Sequence, residues 1–212
     1  MRILVFTDLH GNLRALETVK KRAEKAAIII CTGDLTVFGN DQQALLAKLD
    51  SFGKPVLMLH GNHEEEAELR ADCDELENVF FLHLQRADVN GWNFIAYGGG
   101  GFSDYYRDLE EWMKAPEWSK LDWSKTVVLS HAPPHKTVLD DVGEPGEPWH
   151  VGSKTLRTII NKRQPLLVAA GHIHEGFRKE EYVKKTLVMN PGPSGKVVDL
   201  VALRKAYKQR GG

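Results

Sequence analysis

Short apolar runs that stop abruptly at Asp, His or Asn constrain this chain more than any other feature. Residues 3–6, 27–31 and 56–59 are apolar throughout. They have strand length, and their unbroken hydrophobicity fits strands covered on both faces. Residues 13–25 lie between the first two and place Leu13, Leu16, Val19 and Ala23 at helical spacing. Residues 43–49 carry Ala44, Leu45, Leu46 and Leu49, with Asn40 as a candidate cap and Gly53-Lys54-Pro55 as the break. Strand–helix–strand order of this kind predicts parallel strands joined by right-handed crossovers.

The second half changes style. Asn90-Gly91 marks a tight hairpin leading into a strand over 94–97. Residues 126–129 and 166–169 read as further buried strands, and Ser153 caps a helix with Leu156, Ile159 and Ile160 on one face. Residues 177–183 and 186–189 suggest another hairpin, and 197–203 a final strand. A parallel half beside a hairpin-rich half suggests two sheets packed face to face with helices outside. No composition break divides residues 1–212, so one domain is expected.

Charge narrows the function. Lys+Arg 28 against Asp+Glu 29 leaves a formal charge of -1, which argues against a broad cationic track for extended nucleic acid. Cys31 and Cys73 are too few for a disulfide framework; Cys31 reads as a buried small residue, Cys73 among acids as a surface thiol. The opening apolar run meets Thr7-Asp8 at once, so neither a signal peptide nor a membrane span is expected, and the default setting is cytoplasmic.

The chemistry lies just beyond the end of each strand. After the first comes Asp8-Leu9-His10, after the second Gly33-Asp34, after the third Gly61-Asn62-His63-Glu64. Ser130-His131 and Gly171-His172-Ile173-His174 come after two later strands. Carboxyl ends of parallel strands form the ligand crevice of an open α/β sheet, so these side chains should converge. Each fragment alone is an ordinary turn or cap. Five of the nine histidines falling in such short segments is not. Mixed carboxylate and imidazole suit Mn, Fe(II) or Zn. A central Asp can bridge two cations about 3.5–4 Å apart, which activate water and clamp the oxygens of an in-line displacement, as phosphate-ester hydrolysis requires.

The order Asp-x-His, Gly-Asp, Gly-Asn-His-Glu, His, Gly-His-x-His over residues 8–174 resembles the calcineurin-like metallophosphoesterases. The resemblance implies an α/β fold, a four-layer αββα sandwich of two mixed sheets flanked by helices. It places Asp8, His10, Asp34 and His174 on one metal ion and Asp34, Asn62, His131 and His172 on the other, with Asp34 bridging. It makes His63 the proton donor to the leaving oxygen. The implied cofactors are two divalent ions, Mn first, with Fe, Zn, Ni and Mg as alternatives. The protein Ser/Thr phosphatases carry an Asp-Arg pair where Val37-Phe38 stand, so that branch fits poorly, and the carboxylate that orients their catalytic His is missing; Glu64 or water could replace it. His131-Ala132-Pro133-Pro134, Leu139–Gly143 read as Leu-Asp-Asp-Val-Gly, and His150-Val151-Gly152-Ser153 look like the MPPED/brain-type phosphodiesterase branch. Asn190-Pro191-Gly192-Pro193 resembles the closing segment of compact prokaryotic members.

Substrate residues are less sharply marked. Gly100, in the run Gly98–Gly101 written as four glycines, could bring backbone amides to a phosphate, and Phe102, Tyr105, Tyr106, Trp112, Trp118 and Trp123 include candidates for stacking a base. Packing of that segment onto the body is the competing reading. His135 and His150 flank an acid- and Pro-rich loop and read first as ordinary loop residues, with His150 the candidate for the site mouth; His60 and His83 read as structural or exposed. The acid run 64–68 and the basic tail 204–210 read as solvated faces. The expected function is a phosphodiesterase on a small, nucleotide-like phosphate ester. A phosphomonoesterase or nuclease of the same superfamily is the alternative, and a non-catalytic metal-binding scaffold, a use this fold has in retromer, is the alternative of another class. A homo-oligomer is compatible with the sequence.

Overall fold

The structure, a computed structural model, describes residues 1–101 and 103–210. Two sheets form it. In the first, β1 (Arg2–Phe6), β2 (Ile28–Cys31), β3 (Val56–Met58) and β4 (Val79–Phe81) run parallel, with β11 (Lys196–Asp199) antiparallel to β1, in the order β11-β1-β2-β3-β4. The second has the order β5-β6-β7-β8-β10-β9. Here β6 (Trp92–Tyr97), β7 (Thr126–Ser130), β8 (Leu167–Ala169) and β10 (Thr186–Met189) are parallel neighbours, while β5 (Gln85–Val89) and β9 (Glu180–Val183) pair antiparallel at the edges.

Alternation along each strand sends side chains to two cores. Ile3, Val5, Ile28, Ile30 and Leu57 face Phe94, Ala96, Val127, Leu129 and Met189 between the sheets. The opposite face of the first sheet, with Leu4, Phe6, Ile29 and Met58, is covered by α1 (Leu13–Ala23), α2 (Gln42–Asp50) and α3 (Glu66–Asp74). The outer face of the second, with Ile95, Val128, Val168 and Val188, is covered by α4 (Arg107–Trp112) and α5 (Lys154–Arg163). The result is the expected helix–sheet–sheet–helix order.

Several local expectations need correction. Residues 197–203 are not one strand: β11 ends at Asp199, whose carboxylate accepts the Val201 and Ala202 amides and caps α6 (Leu200–Gln209). The basic tail is therefore a helix, with Leu200 and Leu203 closing the inter-sheet core. Asn40 does not cap α2; Asp41 takes that place in a left-handed conformation without a side-chain cap bond. Leu13 is 52 % exposed and stands off the buried stripe of α1, which is Ala15, Leu16, Val19 and Ala23. Cys73 is buried beside Leu69 on the inner face of α3, and burial pushes its thiol up to about 12. Its acidic neighbours Asp72 and Asp74 point elsewhere on the same helix, which is why composition misreads it. No described helix is long and apolar enough to cross a membrane.

Candidate metal centre

The ends of β1, β2 and β3 in one sheet and of β7 and β8 in the other bring the singled-out residues to one edge. The turns are laced together: Asp8 N–H donates to Gly33 O, His10 N–H to Asp34 O and Gly11 N–H to Leu35 O, each at 3.0 Å. Four of these residues hold left-handed backbones, Asp8 (φ 50°), His10 (45°), Asp34 (52°) and His172 (68°). Such conformations cost energy in non-glycine residues and persist where surrounding structure enforces them. Close approach is also built in. A Cβ on Gly61 would overlap the Asp34 carboxylate, and one on Gly171 would overlap Thr7 Oγ1.

Two donor groups form around Asp34. Ligand atoms of Asp8, His10 and His174 lie within 4.8 Å of one another, and so do those of Asp34, His131 and His172. Asp34 faces both: Oδ1 lies 3.5 Å from His131 Nε2, and Oδ2 lies 3.7 Å from His10 Nε2. Asn62 Oδ1 completes the second group, 2.9 Å from His131 Nε2 and 2.8 Å from His172 Nδ1. All seven residues named as ligands by the sequence reading are thus in one place.

Tautomers decide whether a cation fits. His10 Nδ1 lies 3.0 Å from Thr36 O and His131 Nδ1 lies 3.0 Å from Thr32 O. A carbonyl only accepts, so both Nδ1 atoms carry hydrogen and both Nε2 atoms of the neutral rings present lone pairs. His10 Nε2 then faces His174 Nε2 at 3.3 Å, and His131 Nε2 faces the Asn62 oxygen. At the Asn62 oxygen lone pair meets lone pair, which repels unless a cation or a proton stands between, while His10 Nε2 is open to either a cation or a hydrogen from His174. The donor set, the fixed tautomers and this acceptor–acceptor contact all fit divalent metal.

Titration divides these residues. Burial lowers His172 to about 4, aided by His131, so the ring is neutral at neutral pH. Burial also raises Asp8. At His131 burial acts to lower the pKa, but the Asp34 carboxylate outweighs it and the net shift is upward. Burial acts to raise Asp34, but the hydrogen bonds and charges of His131 and His63 together outweigh it and hold the carboxylate below its usual range.

Glu64 is the residue whose place sequence reasoning missed. It is buried. Its Oε2 accepts the Asp34 and Gly61 amides at 3.0 and 2.9 Å, and its Oε1 accepts the Thr36 amide and hydroxyl at 2.9 and 2.8 Å. It ties the turn after β2 to the turn after β3. With its lone pairs so engaged it does not orient His63. That ring instead lies between Phe38, at 4.3 Å between centroids, and His10, at 4.7 Å, and its Nδ1 is buried without a hydrogen-bond partner among the described residues. His63 Nε2 is 3.9 Å from Asp34 Oδ2.

An open cleft of about 490 Å³ sits over these groups, lined by His10, Asp34, Asn62, His63, His172, Ile173, His174 and Glu175. Gly100 and His150 do not line it. Three amides of the glycine run are taken: Gly98 N–H by His83 Nδ1, Gly99 N–H by His60 O and Gly101 N–H by the Tyr106 hydroxyl. The run packs against His172. His150 Nδ1 lies 2.9 Å from the fully buried Asp140, which also holds the Lys136, Thr137 and Gly152 amides. Phe102 lies outside the described residues. Tyr106 and Trp118 are buried in the outer core.

A further trio, His60, Glu66 and His83, also has ligand atoms within 4.8 Å. Here the Gly98 amide donates to His83 Nδ1, so Nε2, 3.9 Å from Glu66, carries the ring hydrogen. A nitrogen bearing hydrogen cannot ligate, and this trio is a packing cluster.

The profile of the calcineurin-like phosphoesterase family matches residues 1–176. The uncharacterised protein MJ1162 of Methanocaldococcus jannaschii is 31% identical over 204 residues, covering 91% of this chain and 88% of that protein. Among solved structures, TT1561 of Thermus thermophilus superposes with a TM-score of 0.75 at 22% identity, covering 95% of each chain. Phosphopantetheinyl hydrolase from Mycobacterium tuberculosis superposes at 0.60 and 16% identity, covering 99% of this chain and 92% of its own. These likenesses share the two-sheet architecture, and with the match over most of its length the chain belongs to the calcineurin-like phosphoesterase family.

Proposed function

We propose that this protein is a dinuclear metal-dependent phosphodiesterase acting on a small phosphate ester. The observation that carries the reading is the pair of donor groups on either side of Asp34, with the unprotonated Nε2 atoms of His10 and His131 turned into them. Two divalent cations held there, Mn by preference, supply Lewis acidity and activate water near neutral pH. Asp8, His10, Asp34 and His174 hold one; Asp34, Asn62, His131 and His172 hold the other. Thr36 O and Thr32 O fix the rings of His10 and His131, so that no reorientation is needed on binding. His63 Nε2, at the cleft wall beside Asp34, gives its proton to the leaving oxygen.

The lining favours a diester. It contains no Lys or Arg, and Glu175 stands at its rim. A monoester dianion calls for an additional cationic side chain, whereas a diester carries a single charge. The solved-structure neighbour that hydrolyses phosphopantetheinyl groups is consistent with ester chemistry on this fold.

The test is hydrolysis of bis(p-nitrophenyl) phosphate against p-nitrophenyl phosphate, with metal-stripped protein, with Mn added back, and with Asp34→Ala and His63→Ala. Mn-dependent diester cleavage, lost in both variants, is the expected result. Cleavage of the monoester alone overturns the diester assignment, and two bound ions with no turnover favour the scaffold.

A further inference from the structure

Phe38 is the most exposed large apolar side chain among the described residues, at 75 %, yet its backbone is left-handed at φ 50°. A bulky side chain is a genuine outlier there, and an exposed ring recovers nothing by burial. The turn that holds it is firm. Gly39 N–H donates to Thr36 Oγ1 at 3.0 Å, Thr36 Oγ1 donates to Glu64 at 2.8 Å, and Asn40 N–H donates to Val37 O at 3.1 Å. Strain imposed on an exposed aromatic at a site is a sign of use rather than of packing.

One face of the ring is covered by His63, with the planes 31° apart. From there the rings continue: His63 to His10 at 4.7 Å, His10 to His174 at 5.3 Å, His174 to Phe177 at 4.6 Å. Phe38 ends this row on the side of His63. A group that protonates the leaving oxygen lies beside it, and Phe38, just outside the cleft lining, stands against the face of His63 opposite His10, within reach of a ring carried on the departing alcohol. With no Lys or Arg in the lining, the cleft offers no cationic side chain to a charged leaving group, and the exposed ring of Phe38 is a source of selectivity by apolar contact.

We propose that Phe38 determines specificity by stacking a planar ring, a nucleobase or aryl group, carried on the leaving alcohol. This rests on the phosphoesterase reading and on His63 as the acid. Stacking tolerates any base because each has a π-face, so the expected preference is for aromatic over aliphatic esters rather than for one base.

Binding tests it without turnover. The probes are the P-methyl phosphinate analogues of 9-(2-phosphonomethoxyethyl)adenine and of ethoxymethylphosphonate, the same chain without the base; each carries the single charge of a diester, and its P–C bonds are not hydrolysed. Affinities are measured by calorimetry on Mn-loaded protein, with bound Mn counted in every variant. The wild type is expected to prefer the adenine compound by about tenfold or more. Phe38→Ala and Phe38→Leu should erase that preference and leave affinity for the base-free phosphinate unchanged, while Phe38→Trp keeps it. An affinity ratio that is the same in Phe38→Ala as in the wild type, or near one in the wild type, overturns the proposal. Diester hydrolysis is scored separately: its absence sinks the reaction, while the ratio still decides the role of Phe38.

Discussion

The Nε2 atoms of His10 and His174 lie 3.3 Å apart although 164 positions separate them in the chain. His10 has given its only ring hydrogen to Thr36 O, so its Nε2 lone pair is open to a cation. Metal binding and stability are therefore linked. Stripping with EDTA is expected to lower the unfolding midpoint, and Mn at a hundredfold excess over its Kd should restore about 2.7 kcal/mol per site. Calorimetric scans at graded Mn check this; a midpoint indifferent to metal would remove the linkage.

Glu64→Gln tests the strut beneath the site. The amide would turn an NH2 group toward the donors that one carboxylate oxygen now accepts. A loss of at least about 2 kcal/mol is expected, because hydrogen bonds to a charged acceptor are the stronger kind and their donors stay buried. Metal affinity should fall about tenfold or more as the Asp34 turn loosens. Urea unfolding and metal titration give the two numbers.

Gly61→Ala probes the close approach of two turns. Its Cβ would collide with the Asp34 side chain and come within 2.5 Å of the Asp34 amide nitrogen, and neither can retreat while Glu64 holds them. Destabilisation of about 3 kcal/mol, the upper range for single substitutions, is expected together with loss of metal. A folded variant that still binds two ions would show that the two turns can move apart.

Acid stability of the metal-free protein should depend on His60. Burial, with His83 adding to it, lowers its pKa from 6.5 to about 4. The unfolded chain therefore takes up a proton that the native state refuses. Stability from this group is complete above about 6.5 and declines as pH falls toward 4, with a slope approaching 1.4 kcal/mol per pH unit. His172 acts in the same direction in the absence of metal. His131 acts oppositely, its contribution being present below 6.5 and lost as pH rises through its elevated value. His60→Gln should flatten the acid limb, as measured by urea unfolding at pH 7, 6 and 5.

The alternating first half and the convergence of the singled-out residues were legible because each of these residues comes within a few positions of the end of an apolar run. Strand ends and chemistry therefore coincide in one dimension as they do in three. Glu64 was not legible: it opens a run of acids, and only the amides of Asp34, Gly61 and Thr36, from two separate turns, make it a buried acceptor. Helix α6 was hidden by continuity, since Val197 and Val198 run straight into Leu200 and Val201; Asp199 as a cap was the available signal. Phe38 drew notice only as the residue standing in place of an arginine, because a sequence pattern does not reveal a left-handed backbone on a non-glycine residue.

The most direct measurement of the central claim is Mn(II) stoichiometry with electron paramagnetic resonance on metal-stripped, reconstituted protein, beside Asp34→Asn. Two ions per chain with an exchange-coupled spectrum, and loss of that coupling in the variant, are what a shared Asp34 carboxylate predicts. One ion per chain, or two ions with no coupling in the wild type, would contradict it.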